Sequence, residues 1–293
     1  MTTKRSLGET VFSWFNLCFM VLLCFVTLYP FIYILFASLS NPTEMAQFRG
    51  MLFYPQGFSF DAYKAVLENP MLTTGYRNTL LYVTTGTVIN LIMTTLGAYA
   101  LSRRNVYFKN HIMLLIVITM VFSGGLIPSY LLVNNLGMLN TPWALLLPGA
   151  INSFNLIIMR TAFQGIPASL EESARIDGAT DWVIMTRIII PLSMPVIAVM
   201  ILWYAVGHWN SYFNALIYLR DRELFPLQLV LREILISNST DSMMTGAATG
   251  DRLDIGITIK YATIIVSTLP ILVLYPFLQK YFVHGVMIGA LKE

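Results

Sequence analysis

Two groups of side chains in this sequence have the types and spacing to do chemistry. The first is Glu171, Glu172, Arg175, Asp177, Asp181 and Arg187, crowded into residues 161–190 between two long apolar stretches. Carboxylates and guanidinium groups at that density suit charge-assisted contacts with a water-facing partner. The second is Trp203, Tyr204, His208, Trp209, Asn210, Tyr212 and Asn214, an aromatic and amide set inside an apolar stretch. Aromatic faces stack on sugar rings, and amides and hydroxyls bond to sugar hydroxyls. Neither group is a reactive constellation. His208 has no carboxylate or thiol within sequence reach, and the chain lacks a Gly-x4-Gly-Lys-Ser/Thr loop, a His-Glu-x-x-His pair and a Gly-x-Ser-x-Gly elbow. The expectation is a chain with no catalytic residue, no metal site and no cofactor of its own.

The elements that must position these groups are membrane helices. Of 293 residues, 56% are hydrophobic and 11% charged, against about 25% charged in soluble domains. A net charge of +3 is too small and too scattered for a nucleic-acid surface. Cys18 and Cys24 lie in the first apolar segment and read as small hydrophobes. Lys4 and Arg5 precede an uncharged run from Thr10 to Ser40, far longer than the ~7–15 residues of a signal-peptide core. That run predicts a retained first span.

A spanning helix needs about 20 apolar residues. Charge-free stretches of that order occur at 10–43, 78–102, 112–159, 188–219 and 261–279, and within them only His208 ionises near neutrality. The third is long enough for two spans, broken at Asn134–Pro142 by Asn, Gly and Pro. The reading is all-α with six spans, near 12–38, 79–102, 111–133, 142–160, 193–217 and 261–283. Arg103, Arg104 and Lys109 follow span two and no basic residue follows span three, so positive charge places 103–109 in the cytoplasm. Alternation then puts both termini and the 161–191 insert there too. Without buried carboxylates or cations, the spans have no relay for a proton or sodium gradient, and energy for any transport must come from a partner subunit.

Within the insert, Ser169 and Glu172 have capping-box spacing and predict a helix start. Gly178 predicts its left-handed end. A second helix is expected from Thr180 or Asp181 through Ile190, stopped by Pro191. Two short helices bent at a glycine make a knob. The spacing Glu172-Ser173-Ala174, Gly178, Ile188, Ile190, Pro191 resembles the EAA loop of ABC importer permeases, Glu-Ala-Ala-x3-Gly-x9-Ile-x-Leu-Pro, with Ser173 in place of Ala and Ile190 in place of Leu. Six spans, Asp177-Gly178-Ala179, Ile190-Pro191-Leu192 and the ending Gly285-x3-Gly289-Ala290 are similar to the maltose-type carbohydrate permeases, second-subunit branch, and within it to permeases for complex plant- or alga-derived oligosaccharides.

The resemblance implies a type I ABC importer fold. Its N-terminal helix and outer loop would be 1–77, its core 78–285 with the EAA loop at 161–191, and its cytoplasmic tail 286–293. It implies a multi-pass subunit of a bacterial inner membrane, paired with a second permease. ATP and Mg would sit on two partner ATPase subunits, and an extracellular solute-binding protein would deliver an oligosaccharide. Glu171, Glu172, Ser173, Ala174, Asp177, Gly178, Ile188 and Pro191 would couple to the ATPase, with Glu172 pairing with a basic residue there. Trp203, His208, Trp209, Asn210, Tyr212 and Asn214, with Asn152 and Asn155 of span four, would line the substrate path. On a helix, Trp203, Asn210 and Asn214 would share one face and Tyr204, His208 and Tyr212 another. A peptide or amino-acid importer subunit is the alternative, and an ordinary capped loop is the plainer reading of the insert.

Overall fold

The computed structural model describes residues 7–103, 105–236 and 256–273, mainly as α-helix, with one isolated antiparallel bridge between Ser40 and Phe58. The chain divides into two units, Met1–Pro70 with Leu231–Leu269 and Met71–Val230 with Pro270–Glu293. The tail 286–293 and the end of the sixth predicted span lie outside the described residues.

In the first unit the Leu7–Ser38 helix is strongly apolar beyond its first turns, and hardly any of it is buried. Lipid offers the backbone no hydrogen bonds, so a lone apolar segment there must satisfy itself as a helix. Its Thr27 hydroxyl bonds back to the Leu23 carbonyl at 2.8 Å, so this polar group is satisfied within the helix. Ala37, Met45 and Leu52 form a small buried cluster, with Tyr33, Phe36, Phe48 and Tyr261 packed around it.

The second unit is organised on the helix Pro70–Ser102, which buries Thr79, Asn90 and Thr94 on one side. Against its far end pack Phe163, Ile184, Met185, Ile189, Met200 and Tyr204, in a core shared by four segments of the chain. Shorter helices follow it, at Lys109–Val121, Leu126–Asn135, Ser153–Gln164, Ala168–Ile176, Asp181–Leu192 and Met194–Trp209.

Three helices among the described residues are long and apolar enough to cross a membrane, or five if each bent pair counts as one span. The spans at 111–133, 142–160 and 193–217 are therefore not the continuous helices that the apolar runs predict. The first bends by 113° at residues 122–125, where Gly125 has φ +85°. The second is non-helical over 147–152, around Pro148-Gly149. The third ends at Trp209 and resumes at Phe213. Hydropathy continues across these breaks although the helical hydrogen bonding does not. Conversely, the Pro70–Ser102 helix begins well before the apolar stretch at 79, because Arg77 and Asn78 do not interrupt a helix. The predicted turn after Asn134 is present, with positive φ at Gly137 and Asn140.

Candidate functional site

The charged insert folds into the predicted knob, with two corrections at its ends. The first helix, Ala168–Ile176, starts directly after Pro167, whose ψ of 130° is extended, and no side chain caps it. The expected Ser169–Glu172 capping box is absent: Ser169 already lies inside the first turn, so its hydroxyl is two residues late. The end is as expected. Gly178 has φ +80°, its N–H donates to the Arg175 carbonyl at 3.1 Å, and the Ala179 N–H donates to the Ala174 carbonyl at 2.9 Å. This paired closure is a Schellman motif, which favours glycine at the left-handed position.

Thr180 caps the second helix through its hydroxyl, which accepts from the Val183 N–H at 3.4 Å. That helix passes Pro191 and stops only at Leu192. A π-helical turn over Met185–Ile189 precedes the proline. Its wider register relieves the clash between the Pro191 ring and the Arg187 carbonyl that a regular α-turn would create. The chain then turns by 83° into Met194–Trp209.

The knob's charges divide into two sets. Arg103, at the end of the Pro70–Ser102 helix, forms an ion pair with Glu171 and lies 4.8 Å over the Tyr99 ring. Glu171 also pairs with Arg175 at 3.0 Å, and Arg175 with Asp181. Hydrogen bonding to Glu171, and then to Asp181, pushes the Arg175 guanidinium further above its ordinary value, so it stays charged. Glu172, Asp177 and Arg187 instead face solvent, alongside Ile176 and Trp182, which are 86% and 64% exposed. Ser173 and Pro191 are exposed, while Ala174 and Ile188 are half-buried on the knob's inner side. A cleft of about 490 Å³ opens between the knob and the turn after Ser102, lined by Arg103, Asn105, Lys109, Glu171, Glu172 and Arg175.

The aromatic and amide set separates into groups with different work. Asn90, 1% exposed, donates through Nδ2 to the carbonyls of Gly149 at 2.7 Å and Ala150 at 3.0 Å. These carbonyls belong to the helix break at 147–152 and have no helical partner there. With both amide protons used, the Asn90 oxygen accepts from His208 Nε2 at 2.6 Å, which fixes the imidazole proton on Nε2. Gly86 makes room for the ring, since a Cβ there would lie 2.4 Å from His208 Nε2. The neighbouring Tyr204 hydroxyl shares a 2.7 Å hydrogen bond with Thr94. Tyr204 and His208 thus do share a face, and it meets the Pro70–Ser102 helix.

Other expectations change. Asn210 ends the helix, its N–H still donating to the Val206 carbonyl at 3.0 Å, and Tyr212 and Asn214 lie beyond it. Trp203 and Asn210 therefore keep one face, but its predicted extension to Asn214 and the face joining His208 to Tyr212 do not form. Trp203 stacks on Phe154 at 5.8 Å. Asn152 caps the Ser153–Gln164 helix by accepting from the Asn155 N–H at 3.1 Å, and Asn155 is buried. Asn210, Tyr212 and Asn214 are exposed around the break at 210–212. Trp209 lies beside it with its ring 6.4 Å from Tyr76, and its buried indole N–H has no hydrogen-bond partner among the described residues.

A further polar clamp, which nothing in the local sequence signals, holds the segment before Leu227 to the other end of the Pro70–Ser102 helix. Asn78 donates to the carbonyls of Glu223 and Phe225, Tyr82 donates to that of Leu224 at 2.8 Å, and the Thr79 hydroxyl accepts from the Leu227 N–H at 2.8 Å. Gly75 permits the contact, because a Cβ there would come within 3.2 Å of the Leu227 Cα.

Comparison with known proteins agrees with this architecture. The family model of the binding-protein-dependent transport system inner membrane component matches residues 93–288. Protein LplC of Bacillus subtilis (strain 168) is 43% identical, over 99% of this chain and 98% of its own length. The polygalacturonan/rhamnogalacturonan transport system permease protein YtcP of the same organism is 40% identical, over 94% and 96%. Among solved structures, a chain of a bacterial ABC transporter involved in import of the acidic polysaccharide alginate matches with a TM-score of 0.88 at 35% identity, covering 96% of this chain and 100% of that one. Its fold, the match over 93–288 and the two near-full-length relatives lead to one conclusion: this chain belongs to the family of binding-protein-dependent transport system inner membrane components.

Proposed function

We propose that this chain is a permease subunit of an ATP-driven importer of oligosaccharides, acidic ones in particular. The carrying observation is the knob: a glycine-closed pair of helices that exposes Glu172, Asp177, Ile176 and Trp182 to solvent while its core-facing side is packed and ion-paired. Such a body is built to receive a load from a partner. Two ATPase subunits would supply ATP and Mg, and the knob residues Glu172, Ser173, Ala174, Asp177, Gly178, Ile188 and Pro191 would form or shape the dock. A second permease would complete the path and an extracellular binding protein would load it. Both termini would be cytoplasmic, with six membrane passes. The segment 1–77 would flank a core at 78–285, and 286–293 would be a cytoplasmic tail.

The substrate class is supported by the relatives, whose names give polygalacturonan/rhamnogalacturonan and alginate as the transported polymers. Sugar contact falls best on the break at 210–212, where Asn210, Tyr212 and Asn214 are exposed beside Trp209. Trp203, His208, Asn152 and Asn155 would belong to the same path. Reconstituted transporter supplied with labelled oligogalacturonides or maltodextrins tests the reading. Uptake of the acidic sugars that Glu172→Arg abolishes, with membrane insertion intact, is expected. ATP-dependent uptake confined to peptides would overturn it.

A further inference from the structure

Adjacent glutamates in the knob point to opposite tasks. Glu172 is exposed and has no ion pair among the described residues, whereas Glu171 is 21% exposed and held from two sides. Both line the cleft beside Arg103, but successive helical residues are rotated by about 100°, so Glu172 reaches open solvent while Glu171 is held against the protein.

The contacts of Glu171 form a closed circuit. Arg103 pairs with Glu171, Glu171 with Arg175, and Arg175 with Asp181. The Tyr99 hydroxyl donates to Asp181 Oδ1 at 3.4 Å, and the Tyr99 ring lies under the Arg103 guanidinium. The circuit joins the last turn of the Pro70–Ser102 helix to both helices of the knob. Arg103 is itself fixed, donating to the Ser102 hydroxyl at 3.0 and 2.9 Å and to the Phe163 carbonyl at 3.5 Å. Its side chain is 14% exposed, against 48% for Arg175 and 64% for Asp181. Solvent screens the outer links strongly, whereas removing one partner of the sheltered Arg103–Glu171 link strands a charge with little water around it. Beneath the circuit, Ile184, Met185 and Ile189 are buried with Ala98, Tyr99 and Leu101.

We propose that the Tyr99–Arg103–Glu171–Arg175–Asp181 circuit is a strut that carries displacement of the knob into the Pro70–Ser102 helix, with Arg103 and Glu171 as positioning residues that do not themselves touch the partner. A knob attached by apolar packing alone can roll on its contact when pushed. One also tied through both of its helices to a single helix end moves that helix. The proposal rests on the reading of the knob as an ATPase dock.

The test uses the complete reconstituted transporter with Glu171→Gln, Arg103→Met, Arg103→Lys and Glu172→Arg. Three quantities are read: recovery of the ATPase with the permease, ATP hydrolysis stimulated by loaded binding protein, and sugar imported per ATP hydrolysed. Glu171→Gln and Arg103→Met should recover the ATPase normally yet lower sugar imported per ATP at least about fivefold, the low end of ordinary inter-site coupling. Arg103→Lys keeps the charge and should restore most of that ratio. Glu172→Arg should instead lose the ATPase. If Glu171→Gln loses the ATPase as Glu172→Arg does, Glu171 is a docking contact and the strut is overturned. An unchanged ratio in both Glu171→Gln and Arg103→Met overturns it too, as does failure of both to insert, which would make the circuit a folding requirement. If Glu172→Arg keeps both ATPase and uptake, the docking reading has failed instead.

Discussion

Asn90→Ala should destabilise the subunit more than its small change in volume suggests. The side chain makes three hydrogen bonds, to the Gly149 and Ala150 carbonyls and from His208, and it is 1% exposed. A polar contact between membrane helices contributes about 0.6 kcal/mol on average and up to about 1.7, so three give roughly 2–5 kcal/mol. The upper part of that range applies if the two carbonyls of the 147–152 break stay unpaired, because the bilayer supplies no substitute donor. At about 2–4 °C per kcal/mol for a large domain, Tm in detergent should fall by roughly 4–20 °C. Gly86→Ala attacks the same brace from the other side, since its methyl would lie 2.4 Å from His208 Nε2 and must push the ring away. The double variant should therefore lose less than the sum of the two singles, because each breaks the His208–Asn90 bond. A Tm for Asn90→Ala within about 2 °C of the parent, under 1 kcal/mol, or strict additivity with Gly86→Ala, would refute the brace.

Gly178→Ala places a side chain at φ +80° with no neighbour within 4 Å, so its whole cost is backbone strain of about 1–2 kcal/mol. Amide exchange across Ala168–Ile184 should then quicken roughly tenfold, while the Pro70–Ser102 amides stay unchanged. Asn210→Ala and Trp209→Ala should reduce oligosaccharide uptake at unchanged ATPase recovery, Trp209→Ala more, because its buried indole N–H awaits a partner; normal uptake in both would remove the 210–212 break from the path. Asn78→Ala should leave the Glu223 and Phe225 carbonyls unpaired, and limited proteolysis should then cut the 220–226 segment faster than in the parent.

How far the sequence could be read depended on how far apart the interacting residues lie. The knob was legible because its determinants are local: a glycine at a helix end, charges on a short helix, and fixed spacing to Pro191. Even there the helix start differs from the capping-box expectation, since Pro167 sets the extended residue and leaves Ser169 inside the first turn. The helix breaks were hidden because hydropathy sums side chains and is blind to backbone pairing; Gly124-Gly125 and Pro148-Gly149 were the available signals. The partners of Asn90 lie 59 and 60 residues away, and Glu171 is 68 from Arg103. No local window contains both ends of such contacts, so Asn90 and His208 read as polar groups in need of partners, and Glu171 as one more charge on the knob.

Many of the long-range polar contacts of the second unit share one helix. From Asn78 to Ser102 it rises about 36 Å at 1.5 Å per residue, more than the ~30 Å of bilayer hydrocarbon. At one end it clamps the segment before Leu227, in the middle it braces the 147–152 break, and at the other it carries Arg103 and the knob. Continuity matters here because neighbouring apolar segments are interrupted: a helix with a full ladder of hydrogen bonds resists bending, whereas a break does not. A proline at its exposed position Leu81 tests this directly. It should cost about 3 kcal/mol, and it should lower sugar imported per ATP even though Leu81 is part of neither the knob nor the 210–212 break. If Leu81→Pro folds and transports with an unaltered ratio, the helix is not the element that links the two ends.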